Sequence, residues 1–509
     1  MSHVLRPEAS LLRSFFSGEA LCAGLLIASM GGAVGAGDGP GLPALTYKPE
    51  EMNTVLSRID AAVGSPNGHS LATMFKGYLV IIGSRDGGRG QGNLSFVDVS
   101  DPRKPLLVKA LKDNTTTPLR ECHAMAFGRI DGKDVAATLS QKGVILWDWT
   151  DVQKPTVISV LDLPGLNGGD YASTPWFLAW QGRHLFMAGT NAGLMIVDAT
   201  DLAKPVMAGP PISINNLGGF PIGTVFAVGN QLFLTPHEKG NSITTCDISD
   251  PAKPMVQAIS SKTMPGPAYA AMFNGGYLYF AGLKNLGVFA VDVRDPAAPT
   301  LAGIARPADG QERSSVNGGY ISMKGTMAFC GMSSEFWMAD FADPKNPKMI
   351  RRGSPGLYLK TAGKAVPHGD YDFLTQLGNL MISSSDHGDG SYLIPWQEKP
   401  DTTPPAMNYA HPADGAKDIA VTSRFGLTFD DHLDFTSCTA TTIQLTDASG
   451  AAVPCRHAVQ LGTVNVSPMR NLKPGTRYTL TFKAGGVRDL SGNALAKDVV
   501  ITATTKAGP

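Results

Sequence analysis

The chain has 509 residues, 43% of them hydrophobic and 17% charged, with 43 Lys plus Arg against 43 Asp plus Glu, 58 Gly and 36 Pro. Balanced charge leaves no field that would recruit nucleic acid or an anionic membrane, and low charge with ordinary apolar content excludes a disordered chain. Gly and Pro together exceed the roughly 12% of an average protein, which points to a turn-rich, all-β chain long enough for about three domains, or one large domain with a companion.

In chain order, residues 1–36 read as an export signal. Arg6 and Arg13 form a basic start, Ala20 to Met30 is an apolar run, and Val34-Gly35-Ala36 offers a small-residue cleavage site. The run is short for a bilayer span and Glu19 flanks it. Cleavage by an ordinary signal peptidase is the leading reading, with a retained anchor or lipidation at Cys22 as alternatives. Export implies an oxidising compartment. Without Cys22 five cysteines remain, so at least one stays unpaired within a chain. Cys438 and Cys455, both in the C-terminal region, are the expected pair, while Cys246 and Cys330 fall in apolar strand patterns and read as small buried hydrophobes.

From residue 96 one phrase recurs six times: FVDVSDPRKP, LWDWTDVQKP, IVDATDLAKP, TCDISDPAKP, AVDVRDPAAP and MADFADPKNP. Its skeleton is D-x-x-D-x-x-x-P, and the first aspartates, Asp98, Asp148, Asp198, Asp247, Asp292 and Asp340, are 45 to 50 residues apart. That period, with about four strands per unit, is the signature of propeller blades. In the third unit WFLAW, HLFMAG, LMIVDA and PVMAG read as strands A to D, counted from the innermost outwards. The other units align on it and predict a seven-bladed β-propeller over residues 60–400. The aspartates are expected to accept backbone N–H bonds in the turn after strand C, with Pro starting strand D. The last blade lacks the phrase and a fourth strand. The N-terminal segment 37–59 is expected to close it, with Ala44 to Tyr47 as the strand.

The repeated phrase resembles the LVIVD repeat family of β-propellers. The resemblance implies a secreted or surface-exposed bacterial protein and assigns no activity. Residues 401–509 change grammar: a PADGA turn, an L-T-F strand, an L-x-P-G-T-x-Y-x-L hairpin and a D-L-x-G-N-x-L loop follow one another. This order resembles the bacterial Ig-like domain of surface-layer type, which implies a β-sandwich acting as a spacer or adhesion unit. It is expected to be separate from the propeller, joined by Thr402-Thr403-Pro404-Pro405. His411, His432 and His457 within it read as incidental.

Propeller geometry sorts loops by face: D to A and B to C loops open at one mouth, A to B and C to D turns at the other. His69, His123 and His368 lie at the start of a strand A, and His237 and His387 in B to C loops, so five of the six histidines in the repeats map to one mouth. Only His184 falls in an A to B turn. Arg85, Glu121, Glu238, Arg313, Asp370 and Tyr371 join the five. Neutral imidazoles among carboxylates are suited to a divalent transition metal, for which His123, His237, His368 and His387 are the candidate ligands. Asp370, Arg313 and Glu121 are candidate acid, base or charge-stabilising groups. Arg85, His69, Glu238 and Tyr371 are candidate ligand contacts. The plain alternative is that loops of any propeller collect polar residues. There is no GxSxG, P-loop or strand-GxGxxG-helix signal.

Two readings follow. The first is an exported binding, adhesion or scaffold protein, periplasmic, cell-surface or extracellular, taking a polar ligand, glycan or protein at the histidine-rich mouth. The second is a metal-dependent exported enzyme, a lyase, hydrolase or oxidoreductase, acting there on a carbohydrate or small polar substrate.

Overall fold

A computed structural model describes residues 38–59, 71–83, 93–307, 318–332, 335–353, 373–384 and 390–508. Residues 1–36 form one unit of the chain and 37–509 another. The first lies outside the described residues, as does the expected export signal.

The third repeat shows how the sequence builds a blade-like sheet. Phe177–Gln181, His184–Ala188, Leu194–Asp198 and Val206–Met207 pair antiparallel in that order. The first three are continuous apolar runs, almost wholly buried, because neighbouring sheets cover both of their faces. The fourth is partly exposed. Among the described residues seven such four-stranded antiparallel units occur. Their innermost strands touch in sequence: Ala126–Ile130 meets Phe177–Gln181, which meets Ile222–Val228, then Ala268–Asn274, Ile321–Lys324, Phe373–Leu377 and finally Thr73–Phe75.

The repeated aspartates are turn-builders, as their positions suggested. Asp98, Asp148, Asp198, Asp247, Asp292 and Asp340 each accept the backbone N–H two residues on. The second aspartates, Asp101, Asp151, Asp201, Asp250, Asp295 and Asp343, do the same one turn later. These stacked Asx turns fix the reversal from strand C to strand D.

The last unit takes its fourth strand from a place other than the expected one. Ser57–Ile59, not Ala44 to Tyr47, pairs antiparallel with Ser391–Pro395, Ser57 opposite Leu393 and Ile59 opposite Ser391. Pro43 and Pro49 bracket the expected stretch and remove ladder donors. Ser57-Arg58-Ile59 has no proline and turns Ile59 into the core. Tyr47 instead buries its ring under Arg103 and donates its N–H to the Glu398 carbonyl at 2.9 Å.

The C-terminal region is a two-sheet sandwich. One sheet orders Met407–His411, Phe425–Phe429, Thr463–Pro468 and Cys455–Gln460, and the other Ala416–Ile419, Val499–Thr505, Arg477–Phe482 and Ile443–Asp447. Phe429 and Phe482 meet between them at 5.5 Å. The sandwich is not a separate body on a stiff connector. Cys455–Gln460 pairs with Ala126–Ile130, the innermost strand of the second unit, Ala458 opposite Gly128 and Val459 opposite Phe127, so one sheet runs through both regions. The hydrophobic core is likewise continuous across them.

Contacts extend round the whole A to B face. Gln181 and Ala227 bond Asn465. Asn230 bonds Ser423 and the Arg424 N–H, Asn274 donates to the Phe429 carbonyl, Lys324 pairs with Asp401 at 2.7 Å, and Gln376 donates to Asp431. Glycine at the turns permits the approach. Gly182 and Gly229 both have φ near +59°, and a Cβ on either would collide with Ser467 or with the His411 carbonyl. His411, expected to be incidental, accepts the Asn230 N–H through Nδ1 at 3.1 Å.

Cys438 and Cys455 are not paired, against expectation, and the five described cysteines are free. Cys438 follows the short turn Phe435–Ser437 leading to one sheet, whereas Cys455 starts a strand of the other. Burial pushes both thiols up to about 12, which makes them inert.

Candidate functional site

The end of the units opposite the sandwich carries the candidate site. Five innermost strands present an aromatic or imidazole ring at or just before their first residues: His123, Trp176, Tyr269, Tyr320 and Phe373. The B to C loop of the fourth unit adds His237, and Tyr171 precedes the third unit. These rings are in mutual contact. Phe373 and Tyr320 stack at 4.1 Å and 4°, Tyr320 meets His123 at 4.8 Å, and His123 meets Trp176 at 4.4 Å. Trp176 meets His237 at 4.0 Å, and Tyr269 lies 5.2 Å from His237 and 5.7 Å from Tyr320. The inner rings are buried, whereas Tyr171 is 49% exposed and Tyr269 half-buried, so the cluster forms a floor with two phenols at its surface.

Polar groups are arranged about this floor. His123 Nδ1 donates to the Trp176 carbonyl at 2.8 Å, which leaves Nε2 facing Glu121 Oε1 at 3.5 Å. Glu121 is buried and paired with the adjacent Arg120 guanidinium. His237 Nε2 is buried without a hydrogen bond. Burial first, and then the Lys239 charge, push its imidazole down to about 3, so it is a neutral ring at any working pH. The Tyr171 hydroxyl lies 2.9 Å from Glu238 Oε1 and 3.0 Å from the Tyr269 hydroxyl. Glu238 itself has φ of +52°, a left-handed conformation that a glutamate adopts at some cost.

Of the residues singled out from sequence, His123, Glu121, His237 and Glu238 thus share this end. The Trp176 indole touches both imidazoles, and Tyr171 connects His237 to Glu238. His69, Arg85, Arg313, His368, Asp370, Tyr371 and His387 lie outside the described residues. Among the described residues, the grouping whose ligand atoms converge closely enough to hold a metal is Asp401, Asp431 and Asp489, within the Ig-like region and already facing Lys324, which pairs with the first two. Sequence reasoning missed Trp176, Tyr171, Tyr269, Tyr320 and Phe373. The usable signal is positional, a ring at the same point of successive repeats, and a search for ionisable residues does not register it.

The arrangement defines an all-β protein of propeller-like four-stranded units with an Ig-like sandwich seated on one end. The chain carries LVIVD repeats, matched at residues 177–210 and 265–306, and a C-terminal bacterial Ig-like domain, matched at 401–505. No curated protein matches its sequence. Several solved structures are similar in fold. The Cps50 (Swd1) β-propeller domain of Myceliophteria thermophila is 12% identical, with 64% of this chain and 96% of that one covered at a TM-score of 0.44. The periplasmic gluconolactonase PpgL of Pseudomonas aeruginosa is 12% identical, with 61% and 95% covered at 0.44. PorZ, a surface component of the type-IX secretion system of Porphyromonas gingivalis, is 10% identical, with 86% and 60% covered at 0.47. The chain therefore spans 60% of the length of PorZ. No helix among the described residues is long and apolar enough to cross a membrane.

Proposed function

We propose that the protein is an exported binding protein: a seven-bladed propeller over residues 60–400, closed by segment 37–59 behind a leader at 1–36, with the Ig-like domain at 401–509 built into one end. It takes a polar, hydroxylated ligand of the glycan class at the other. The seven four-stranded units and the sequential contacts of their innermost strands support ring closure. The observation that carries the binding reading is the inequality of the two ends. The sandwich covers the A to B turns, while the opposite end presents phenols and a carboxylate, carried on a left-handed backbone position, over an aromatic floor. Flat apolar faces with a few placed polar groups suit a sugar ring, whose C–H face and hydroxyls need both.

The test is calorimetric titration of neutral and acidic oligosaccharides into the full chain and into Tyr171→Ala and Tyr269→Ala. At least one oligosaccharide is expected to bind, tenfold or more weaker in either variant. Binding by none, or binding unchanged in both variants, overturns the reading. A stoichiometric transition metal lost in His237→Ala would replace it with the metal-dependent enzyme.

A further inference from the structure

A cavity lies on the sandwich side of the molecule, in the seam between the sandwich and the turns of the third and fourth units. Its volume is about 160 Å³, close to the ~150 Å³ of an engineered cavity that accepts benzene. Its walls carry Arg183, Arg424, Arg456 and Arg470 with His184 and Ser467, and no carboxylate is among its lining residues.

The arginines are not neutralised by contact. Arg424 is buried and donates to Gln181 Oε1 and to the carbonyls of Ile248 and Thr422. Arg456 donates to the carbonyls of Ala199 at 3.3 Å and Thr200 at 3.2 Å. All of these acceptors are neutral. The acids that feel the two guanidiniums, Asp247 and Asp250 for Arg424 and Asp131 and Asp198 for Arg456, act through space and make no ion pair with them. Arg183 and Arg470 are exposed at the rim. Ser467 Oγ, on a residue 5% exposed, is buried without a hydrogen-bond partner. Partly buried positive charge without a contact anion is costly unless a counter-charge arrives, and guanidinium forks match tetrahedral oxyanions in geometry.

We propose that this seam is an oxyanion site for a phosphate or sulfate group, free or as a small ester. Arg183 and Arg470 receive the anion at the rim, Arg424 and Arg456 supply the inner charge, and Ser467 Oγ donates a hydrogen bond. The site takes Arg183 from the repeats and the other three arginines from the sandwich, so occupancy ties the two regions together.

The experiment is thermal unfolding of the full chain in inorganic phosphate, sulfate, glycerol 3-phosphate or chloride at equal ionic strength. The wild type is compared with the Arg183→Gln/Arg470→Gln double variant, whose altered side chains are exposed and make no hydrogen bond needed for folding. Phosphate or sulfate is expected to raise the midpoint by about 3 °C over chloride at a hundredfold excess over its dissociation constant, with most of the rise lost in the double variant. A rise in glycerol 3-phosphate as well marks an esterified ligand, and its absence a free ion. No rise in phosphate or sulfate beyond chloride, or an equal rise in the double variant, overturns the proposal.

Discussion

Phe75, on the innermost strand of the first unit, stacks on Phe435 of the Ig-like domain with ring centroids 5.5 Å apart and planes 16° from parallel. Phe127 of the second unit meets the same ring at 5.8 Å, and Arg129 lies over it at 5.7 Å. One sandwich residue thus packs on two units at once.

Truncating it should weaken the whole molecule rather than loosen a spacer. Phe435→Ala is expected to cost about 3–5 kcal/mol, the usual price of a large aromatic cavity. The Ig-like domain and the repeats should still unfold in one transition. Calorimetry checks this: a low-temperature transition of sandwich size, followed by an unshifted one, would mean independent domains.

Asp198 accepts the Thr200 N–H at 2.8 Å and the Thr200 hydroxyl. Asp198→Ala should therefore cost roughly 1–2 kcal/mol through the lost turn and leave oligosaccharide affinity unchanged. Denaturant unfolding alongside titration separates the two effects.

The repeat was legible because each Asp phrase is a local device: two Asx turns and a proline can be read from ten residues. Its strands were legible because apolar runs between turn signals leave little choice. The closure by Ser57–Ile59 was not, since pairing with Ser391–Pro395 spans over three hundred positions and depends on where Pro43 and Pro49 forbid a strand. The sandwich contacts were hidden for a related reason. A turn such as Gln181-Gly182-Arg183 looks generic until Ser467 is found against the glycine. At the candidate site His123 and His237 were visible as ionisable residues, while Trp176, the first residue of WFLAW, read only as the start of a strand A.

Burial holds His184, His411 and His457 down to about 4, and His237 and His432 down to about 3. Below about 6.5 the unfolded chain binds these protons and the folded one does not, so stability falls with pH from there to about 4. His411 alone is worth on the order of 3 kcal/mol across that window. Asp489, raised to about 7 by burial, and Asp430, Asp431 and Asp434, raised by the same cause, work in the opposite sense above their ordinary carboxylate range, so the histidine contribution is read as the difference between wild type and variant. From pH 7 to 4 the unfolding midpoint should fall by more in the wild type than in His411→Gln. A pH profile unchanged by the substitution contradicts this.

Glu238 occupies a left-handed backbone position and holds the Tyr171 hydroxyl. Glu238→Gly relieves the backbone, worth about 1–2 kcal/mol, and loses an exposed hydrogen bond and some unfolded-state restriction. Stability should stay within about 1 kcal/mol of wild type while oligosaccharide binding falls at least tenfold. Equal binding in the variant would remove Glu238 from the site.

Hydrogen exchange, read with and without the tightest-binding oligosaccharide, tests most directly whether one end is covered by the sandwich and the other receives the ligand. In the free protein the amides of Gly182, Gly229 and Gly275 should exchange slowly under the sandwich. On adding ligand, new protection should fall on the segments of Tyr171, His237-Glu238 and Tyr269. Fast exchange at the three glycines, or ligand protection centred on the A to B turns, would contradict it.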